Sequence, residues 1–266
     1  MNLSPLNPTE INQIPNILPP GWGGVIPTFI HYANAHFCFP IKLTVDYKIA
    51  GTGTAIIHNN TAWLAHIIVH REYRNQGFGK LITQRLIDIA KAKGCDTLYL
   101  LATDLGEPVY KKLGFEIETE YGFFKGQIIP TTHPPNKHIL PFHTTFEKQI
   151  AKLDHRVSGE DRWVELKSHL ANGYVYVQDH EVKGYYLPTC GDGLIIATSQ
   201  AAGQELLKLR LTSKDFAVFP IDNAFATAFL KKHDFKEVRR EKRMRLGKER
   251  NWQPANIYNR IGGNLG

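Results

Sequence analysis

The feature that most constrains the fold of this chain is a glycine-containing turn, Arg74–Lys80, between two apolar patterns of different period. Thr61–Val69 is a mostly apolar run of strand length, which predicts a strand buried on both faces. Gly77–Lys93 carries apolar residues at helical spacing, which predicts an amphipathic helix. The two glycines let the backbone approach a ligand, and the free N–H groups of a helix start bind anions. The turn therefore predicts a pyrophosphate site.

Two familiar phosphate-binding motifs do not fit this turn. A dinucleotide fingerprint, GxGxxG, requires glycine at the position of Ile82, and a P-loop, GxxxxGK, requires glycine at the position of Arg74. The pattern that remains is R-x-x-G-x-G at the start of a helix, with the positive charges of Arg74 and Lys80 beside it.

The segments after this helix continue an alternation of strand and helix. Thr97–Ala102 predicts a strand, Glu107–Leu113 a short helix, and Phe115–Glu120 a further strand. Alternation of this kind is typical of an α/β architecture.

A second motif, Tyr110-Lys111-Lys112-Leu113-Gly114-Phe115, follows the turn at the end of the short helix. With the R-x-x-G-x-G turn and the strand before it, this region resembles the GNAT superfamily of N-acetyltransferases, where the last segment is usually Y-x-x-x-G-F. The resemblance implies a mixed, mostly antiparallel sheet flanked by helices, with acetyl-CoA as cosubstrate and no metal.

The family's functional positions can be transferred to this chain one by one. The resemblance implies that the backbone of Ile67, Ile68 and Val69 pairs with the pantetheine arm, where the sheet parts to admit it. It also places the oxyanion on the N–H of Val69 and makes Tyr110 the general acid for the departing thiolate. The cofactor-binding amides for the pyrophosphate are those of Arg74, Asn75, Gln76, Gly77, Phe78, Gly79 and Lys80.

The sequence departs from the family pattern where a base for the acceptor amine is expected. Those positions, on the buried strand, hold Ala65 and Trp63, so the base is unassigned. His66 is close by, but strand alternation directs it to the face opposite Ala65. Thr103 replaces a frequent asparagine, and we expect the neighbouring Asp104 to cap the helix that follows.

The second half of the chain repeats the first in a weakened form. Asn223–Phe235 mirrors Thr103–Phe115, with Leu230 in the position of Tyr110. Upstream, Leu194–Ala197 and the turn after it parallel the first glycine turn, with Thr198 in place of the arginine. This half resembles the degenerate C-terminal domain of two-domain acetyltransferases, which implies tandem GNAT folds with a non-catalytic second copy.

Domain boundaries follow from a proline-rich segment between the halves. We expect a catalytic domain at 1–127, a linker at 128–146 and a degenerate GNAT-like domain at 147–266. The linker region contains His133, His138 and His143, whose five-residue spacing and neighbouring prolines do not favour a metal site.

Composition restricts the setting and the partners. No run of about 18 apolar residues is present, so we expect no membrane-spanning helix. Met1–Pro20 lacks the apolar core of a secretory signal, and three scattered cysteines favour a reduced, cytoplasmic setting. Lys231–Arg250 holds ten basic and four acidic residues. Such an excess of positive charge fits either a binding site for an acidic partner or a solvated face. No nucleic-acid-binding motif accompanies it, so nucleic acid is not the expected partner.

The sequence therefore predicts an acetyl-CoA-dependent N-acetyltransferase acting on the primary amine of a small molecule, or on a protein amine. The alternative is a non-catalytic regulatory protein that binds acyl-CoA; either could form a homodimer. The identity of the acceptor, the base and the role of the second domain stay open. Aromatic residues before the motif strand fit either an acceptor pocket or a helix core: Trp22, Phe29, Tyr32, Phe37 and Phe39.

Overall fold

The computed structural model describes residues 1–20, 22–131 and 136–266. The chain divides into two compact units. Unit 1 comprises Met1–Ile117, Met244–Glu249 and Gly263–Leu265, and unit 2 comprises Glu118–Arg243, Arg250–Gly262 and Gly266. The boundaries expected at 127 and 146 stay a prediction.

The elements follow one another along the chain as strands, α-helices and short 3-10 helices. The strands are β1 (Asn2–Pro5), β2 (Cys38–Val45), β3 (Lys48–His58), β4 (Thr61–Val69), β5 (Thr97–Ala102), β6 (Glu116–Lys125), β7 (Ile139–Pro141), β8 (Tyr174–Gln178), β9 (Glu181–Leu187), β10 (Leu194–Ala197), β11 (Phe216–Pro220), β12 (Lys236–Gly247) and β13 (Ile257–Asn259). The α-helices are α1 (Ile26–Asn34), α2 (Phe78–Ala92), α3 (Glu107–Lys112), α4 (Glu147–Ser158), α5 (Trp163–Leu166), α6 (Gln200–Leu211) and α7 (Ala224–Lys232). The 3-10 helices are Pro8–Ile17, Arg71–Tyr73, Thr144–Phe146, Lys167–Asn172 and Pro254–Asn256.

Unit 1 is built on a sheet in the order β1-β2-β3-β4-β5, continued by the end of β12. The first four strands are antiparallel to their neighbours, and β4 and β5 are parallel. The apolar face of α2, with Ile82 and Leu86 fully buried, packs against Leu64 and Leu98 of the sheet. The amphipathic pattern that predicts α2 therefore has its partner in the buried strands.

Unit 2 contains an antiparallel sheet in the order β13-β10-β9-β8-β7, and β6 pairs antiparallel with β11. Helix α6 buries Leu206 and Leu207 against Ile195 of β10 and Phe219 of β11. The predicted fold class, mixed and mostly antiparallel sheets flanked by helices, is confirmed. In the part of the chain that the structure describes, no helix is both long and apolar enough to cross a bilayer.

Candidate functional site

Strands β4 and β5 part from each other in unit 1. Their parallel pairing begins at Thr61 with Thr97 and ends at Trp63 with Tyr99. Strand β4 continues to Val69, and over that stretch its described pairing is with β3 alone. The edge of β4 that faces the gap includes the predicted pantetheine segment, Ile67–Val69. The parting of strands that the resemblance implies is therefore present.

A β-bulge interrupts β4 immediately before that segment. Ala65 pairs with Thr54 and Ile68 with Thr52, so β4 has one residue more than β3 between these pairs. His66, the residue in the bulge, has a φ of 48°, in the left-handed region. Bulges of this kind reorient the side chains that follow.

The bulge reverses the alternation of side chains along β4. Ala62 and Leu64 before it, and Ile67 and Val69 after it, all pack in the same cluster as α2. The prediction that unbroken alternation sets the direction of His66 is therefore wrong, because the extra residue releases His66 from the regular pleat.

The R-x-x-G-x-G turn lies between β4 and α2, as predicted. Asn75 and Gly77 both have positive φ, at 60° and 82°, and α2 begins at Phe78. The Nε of Arg74 donates a hydrogen bond of 3.2 Å to the carbonyl oxygen of Val69, which ties the turn to the end of β4. The side chains of Arg74, Asn75, Gln76 and Lys80 are exposed, and Phe78 is half-buried.

The N-terminus of α2 has the properties of an anion site. The helix is 15 residues long, its N-cap residue Gly77 has no side chain with which to cap it, and its first intrahelical bond runs from Leu81 N–H to the carbonyl of Gly77. A Cβ atom at Gly77 would meet nothing within 4 Å, and one at Gly79 would approach only Val69 Cγ2, at 3.9 Å. The space over the first turn is therefore open, and the helix dipole favours negative charge there. The residues present fit a pyrophosphate.

Tyr110 lies in α3 with a buried ring. Its side chain is 8% exposed, and burial raises the pKa of its phenol to about 12. The ring lies against the backbone of Gly106, where a Cβ atom would lie 2.7 Å from Tyr110 Cε2 and 3.1 Å from its hydroxyl oxygen. Tyr110 is therefore protonated at neutral pH, and Gly106 leaves room for its ring.

The start of α3 is capped by a different residue from the one expected. The hydroxyl of Thr103 accepts a hydrogen bond of 3.3 Å from the N–H of Gly106, and the carbonyl of Thr103 accepts from Gly106 and Glu107. No backbone N–H at the start of α3 donates to the carboxylate of Asp104, within the part of the chain that the structure describes. The prediction that Asp104 caps α3 is wrong, because Thr103 stands where its oxygen atoms reach the first amides.

Aromatic residues of the N-terminal segment surround the imidazole of His66. Its Nδ1 shares a hydrogen bond of 3.0 Å with the hydroxyl of Tyr32. The ring centroids of Phe29, Tyr32 and Trp22 lie 5.5, 5.6 and 6.4 Å from that of His66. Phe29 and Tyr32 are buried on α1, and Trp22 is 45% exposed. Burial lowers the pKa of His66 to about 4, so the imidazole is neutral at pH 7.

The C-terminal residues add a contact that the sequence did not predict. Asn264, in the short terminal segment that belongs to unit 1, donates a hydrogen bond of 3.0 Å from Nδ2 to the hydroxyl of Tyr32. The two remaining aromatic residues of the predicted set contact other side chains. Phe37 packs on His31, and the ammonium of Lys93 lies 4.1 Å from the ring centroid of Phe39.

Comparison with known proteins agrees with this geometry. Residues 13–115 match the model of the acetyltransferase (GNAT) family. The matched residues include β4, the glycine turn, α2 and α3, and in this region the chain resembles a GNAT domain. It is 29% identical, over 93 residues, to the glucosamine 6-phosphate N-acetyltransferase of Trypanosoma brucei brucei, a match that covers 35% of this chain. The chain spans 60% of the length of that curated relative.

Two solved structures share the fold over nearly the whole chain. One, a candidate acetyltransferase from Pyrococcus horikoshii, has a TM-score of 0.84 at 19% identity and covers 100% of this chain and 95% of its own. The other, a tandem GNAT protein from the clavulanic acid biosynthesis pathway, has a TM-score of 0.59 at 11% identity and covers 92% of this chain and 98% of its own. At these identities the likeness concerns the fold.

Strand β10 of unit 2 differs from β4 of unit 1 in the strand beside it. Strand β13 pairs antiparallel with β10. In unit 1, by contrast, the described pairing of β4 after Trp63 is with β3 alone. The side-chain oxygen of Asn259 accepts from the N–H of Val218 in β11 at 2.9 Å, so β13 also contacts β11. The space between β10 and β11 is therefore filled by the chain itself.

Tyr258 of β13 covers the first turn of α6. Its side chain is 1% exposed, and a Cβ atom at Gly203 would lie 2.0 Å from the Cζ of its ring. Ser199 caps α6 by accepting a hydrogen bond of 3.2 Å from the N–H of Ala202. Compared with the first turn of α2, which is open and uncapped, this helix start is both capped and covered.

The basic segment of β12 is paired with acidic residues. In unit 2, Arg243 donates to Glu118 at 2.9 Å and Arg240 to Glu120 at 2.9 Å. In unit 1, Arg245 lies 3.5 Å from Glu116. Much of the local excess of positive charge is therefore neutralised within each unit.

The histidines of the predicted linker have ordinary partners where they are described. The Nδ1 atom of His138 bonds the carbonyl of Val177 at 2.9 Å, and that of His143 bonds the hydroxyl of Thr145 at 3.0 Å. His133 lies outside the described residues.

Proposed function

We propose that the GNAT domain transfers the acetyl group of acetyl-CoA to a primary amine. The observation that carries this proposal is the open, uncapped N-terminus of α2 directly beside the free edge of β4. Such a combination offers anion-binding amides for a pyrophosphate and backbone groups for an extended, amide-containing arm. The family match over residues 13–115 supports it.

The residues of the GNAT domain then have the following roles. The backbone of Ile67–Val69 pairs with the pantetheine arm, and the amides of Arg74–Lys80 bind the pyrophosphate. Acetyl-CoA supplies a thioester carbonyl, and the N–H of Val69 stabilises the negative charge that develops on its oxygen. The amine nitrogen forms a bond to the carbonyl carbon as the carbon–sulfur bond breaks. Tyr110 gives its phenolic proton to the sulfur.

A small-molecule amine is the acceptor that we favour. The relative from Trypanosoma brucei brucei is named for a small amino sugar, and the indole of Trp22 beside His66 is partly exposed, so an acceptor can contact it. A protein amine is the second choice, because a primary amine of either kind undergoes the same chemistry.

The test is release of free thiol from acetyl-CoA in the presence of a panel of primary amines that includes glucosamine 6-phosphate and 2-phenylethylamine. We expect amine-dependent thiol release by the wild-type protein. Tyr110→Phe should retain acetyl-CoA binding and lower turnover by about 100-fold or more. Turnover equal to wild type in that variant would exclude Tyr110 as the acid. Binding of acetyl-CoA without turnover of any amine would favour the regulatory alternative.

We further propose that the second half of the chain is a GNAT-like domain that holds no cofactor. The support is the position of β13: it pairs with β10 and covers the first turn of α6 through Tyr258, where an arm and a phosphate would otherwise lie. Leu230 at the position equivalent to Tyr110 also lacks a proton to donate.

Hydrogen exchange with and without CoA tests this second proposal. We expect added protection in peptides covering residues 67–80 and no change in peptides covering residues 194–203. Protection of both segments would mean that β13 leaves its position when the cofactor binds, and the proposal would then be wrong.

A further inference from the structure

The base that the sequence leaves unassigned has a candidate in the bulge of β4. His66 precedes the predicted pantetheine segment, and the bulge directs its ring towards Trp22, Phe29 and Tyr32. It is the one residue of β4 with a side chain that can accept a proton at neutral pH. We propose that His66 accepts the proton that the acceptor amine loses, and that Tyr32 and Asn264 hold its ring in position. The inference rests on the proposed acetyl transfer.

Among the described residues, the hydrogen bond that holds the imidazole is made by Nδ1. Nδ1 is engaged with the hydroxyl of Tyr32, which also accepts from Asn264 Nδ2. This leaves Nε2 as the nitrogen available to a substrate. In the tautomer that the proposal requires, Nδ1–H donates to Tyr32, and Nε2 carries the lone pair. Tyr32 is itself 1% exposed, so its hydroxyl is held by packing as well as by hydrogen bonding.

His66 is present in the form that can accept a proton, as a weaker base than a free imidazole. Burial keeps the imidazole neutral at physiological pH, which is the form that can accept a proton. Of the described groups that contact its ring, Tyr32 is ionisable, whereas Trp22 and Phe29 carry no charge.

His66 and Tyr110 together then account for both protons that move during the transfer. A neutral amine attacks the thioester carbonyl, the carbon–nitrogen bond forms, and the carbon–sulfur bond breaks. One proton passes from the amine nitrogen to His66 Nε2, and one passes from Tyr110 to the departing sulfur. Release of the His66 proton and reprotonation of Tyr110 restore the starting state through solvent.

Asn264 connects this arrangement to the end of the chain. It is a positioning residue, because its contact is with Tyr32 and not with His66 or the substrate. Its distance in sequence from Tyr32, 232 residues, means that the acceptor side of the GNAT domain depends on residues at the far terminus. Loss of that bond should loosen Tyr32 and, through it, His66.

The substitution that tests His66 is His66→Gly, with His66→Asn as its matched partner. Both residues tolerate the φ of 48°, and neither can accept the proton. Glycine leaves a cavity of imidazole shape, whereas asparagine fills part of it. The probes are acetyl-CoA with 2-phenylethylamine or glucosamine 6-phosphate, and imidazole added to the buffer.

We expect His66→Gly to bind acetyl-CoA as wild type does, to lose about 100-fold or more in kcat, and to regain activity when imidazole is added. His66→Asn should lose activity without recovery. Wild-type turnover in His66→Gly would overturn the proposal. So would a loss that imidazole does not restore in a variant that binds acetyl-CoA normally, because the histidine would then serve only to position other groups.

Asn264→Ala tests the positioning residue. We expect kcat to fall by about fivefold, with KM for acetyl-CoA unchanged. Asn256→Ala is the control, because Asn256 donates to Gln253 elsewhere in the C-terminal segment and should leave turnover unchanged. Equal kcat values in Asn264→Ala and wild type would remove Asn264 from the account.

A spectroscopic measurement separates failure of this inference from failure of the proposed function. The ring nitrogen chemical shifts of His66 in the full chain should indicate a neutral Nδ1–H tautomer between pH 5 and 8, and Asn264→Ala should change them. A ring that titrates near pH 6.5, or that carries its proton on Nε2, would overturn the inference whether or not any amine is a substrate.

Discussion

Substitution of Gly79 by aspartate separates binding of the cofactor from stability of the fold. Gly79 is in the first turn of α2, and a Cβ atom there meets only Val69 Cγ2 at 3.9 Å, an ordinary contact. An acidic side chain in the first turn stabilises a helix by about 0.3–1 kcal/mol through the helix dipole. The protein without ligand should therefore be as stable as wild type or slightly more stable.

The same carboxylate should weaken binding of acetyl-CoA strongly. Two like charges about 4 Å apart repel by about 1 kcal/mol in water and about 4 kcal/mol at the effective dielectric of a protein surface. Against a pyrophosphate, a loss of roughly 2–4 kcal/mol corresponds to a Kd about 30- to 1000-fold higher. Wild type at 100 times Kd gains about 2.7 kcal/mol from the ligand, whereas the variant at the same concentration should gain less than about 1 kcal/mol.

Thermal unfolding with and without acetyl-CoA measures both effects. A ligand-induced rise in Tm of roughly 2–4 °C per kcal/mol is expected for wild type and should be nearly absent in Gly79→Asp. Gly23→Asp is the matched control, because a Cβ atom at Gly23 meets nothing within 4 Å and the added charge is the same. A full ligand-induced shift in Gly79→Asp would refute a pyrophosphate site at this turn.

Three further predictions follow from individual contacts. Gly106→Ala should lower kcat without raising Kd for acetyl-CoA, because its Cβ would lie 2.7 Å from the Tyr110 ring; unchanged kcat would contradict this. Tyr258→Ala should destabilise the protein by about 3–5 kcal/mol in denaturant unfolding, because it empties a buried site on Gly203; a loss below 1 kcal/mol would show that β13 is loosely held. The lowered pKa of His66, about 4 against 6.5 unfolded, makes the unfolded chain bind more protons between these values. Stability should therefore fall by up to about 3 kcal/mol as pH drops from 6.5 to 4, and His66→Asn should remove that part of the pH dependence.

Local patterns in the sequence predicted the cofactor end of the site. The apolar strand, the glycine turn and the amphipathic helix are each specified by residues within one segment, and Thr61–Val69 matches β4 at both ends. The helix with Tyr110 is likewise local, with Pro108 near its start and Gly114 just after its end. Such signals can be read from sequence because turn and helix chemistry depend on near neighbours.

The acceptor end could not be predicted in the same way. The bulge at His66 depends on the register between β3 and β4, and no glycine or asparagine marks it in β4. The bond from Asn264 to Tyr32 joins the two ends of the chain. Contacts between residues so far apart in sequence arise from tertiary packing, which sequence periodicity does not predict.

One missed feature had a signal in the sequence. Glutamates alternate along β6 at positions 116, 118 and 120, and arginines occupy β12 at positions 240, 243 and 245. Alternation places the three glutamates on one face of β6 and Arg243 and Arg245 on one face of β12, so the two series can pair by charge, whereas Arg240 is out of that alternation by one residue. The acidic series of β6 is therefore the sequence signal for the partners of these arginines.

Calorimetric titration of the full chain with acetyl-CoA tests most directly the central claim that one half of the chain has an open cofactor cleft and the other is closed by its own strand. The account predicts one binding site per chain, with its heat abolished by Gly79→Asp and retained by Gly23→Asp. Two sites per chain would contradict the closed second half, and no binding at millimolar acetyl-CoA would contradict the proposed function itself.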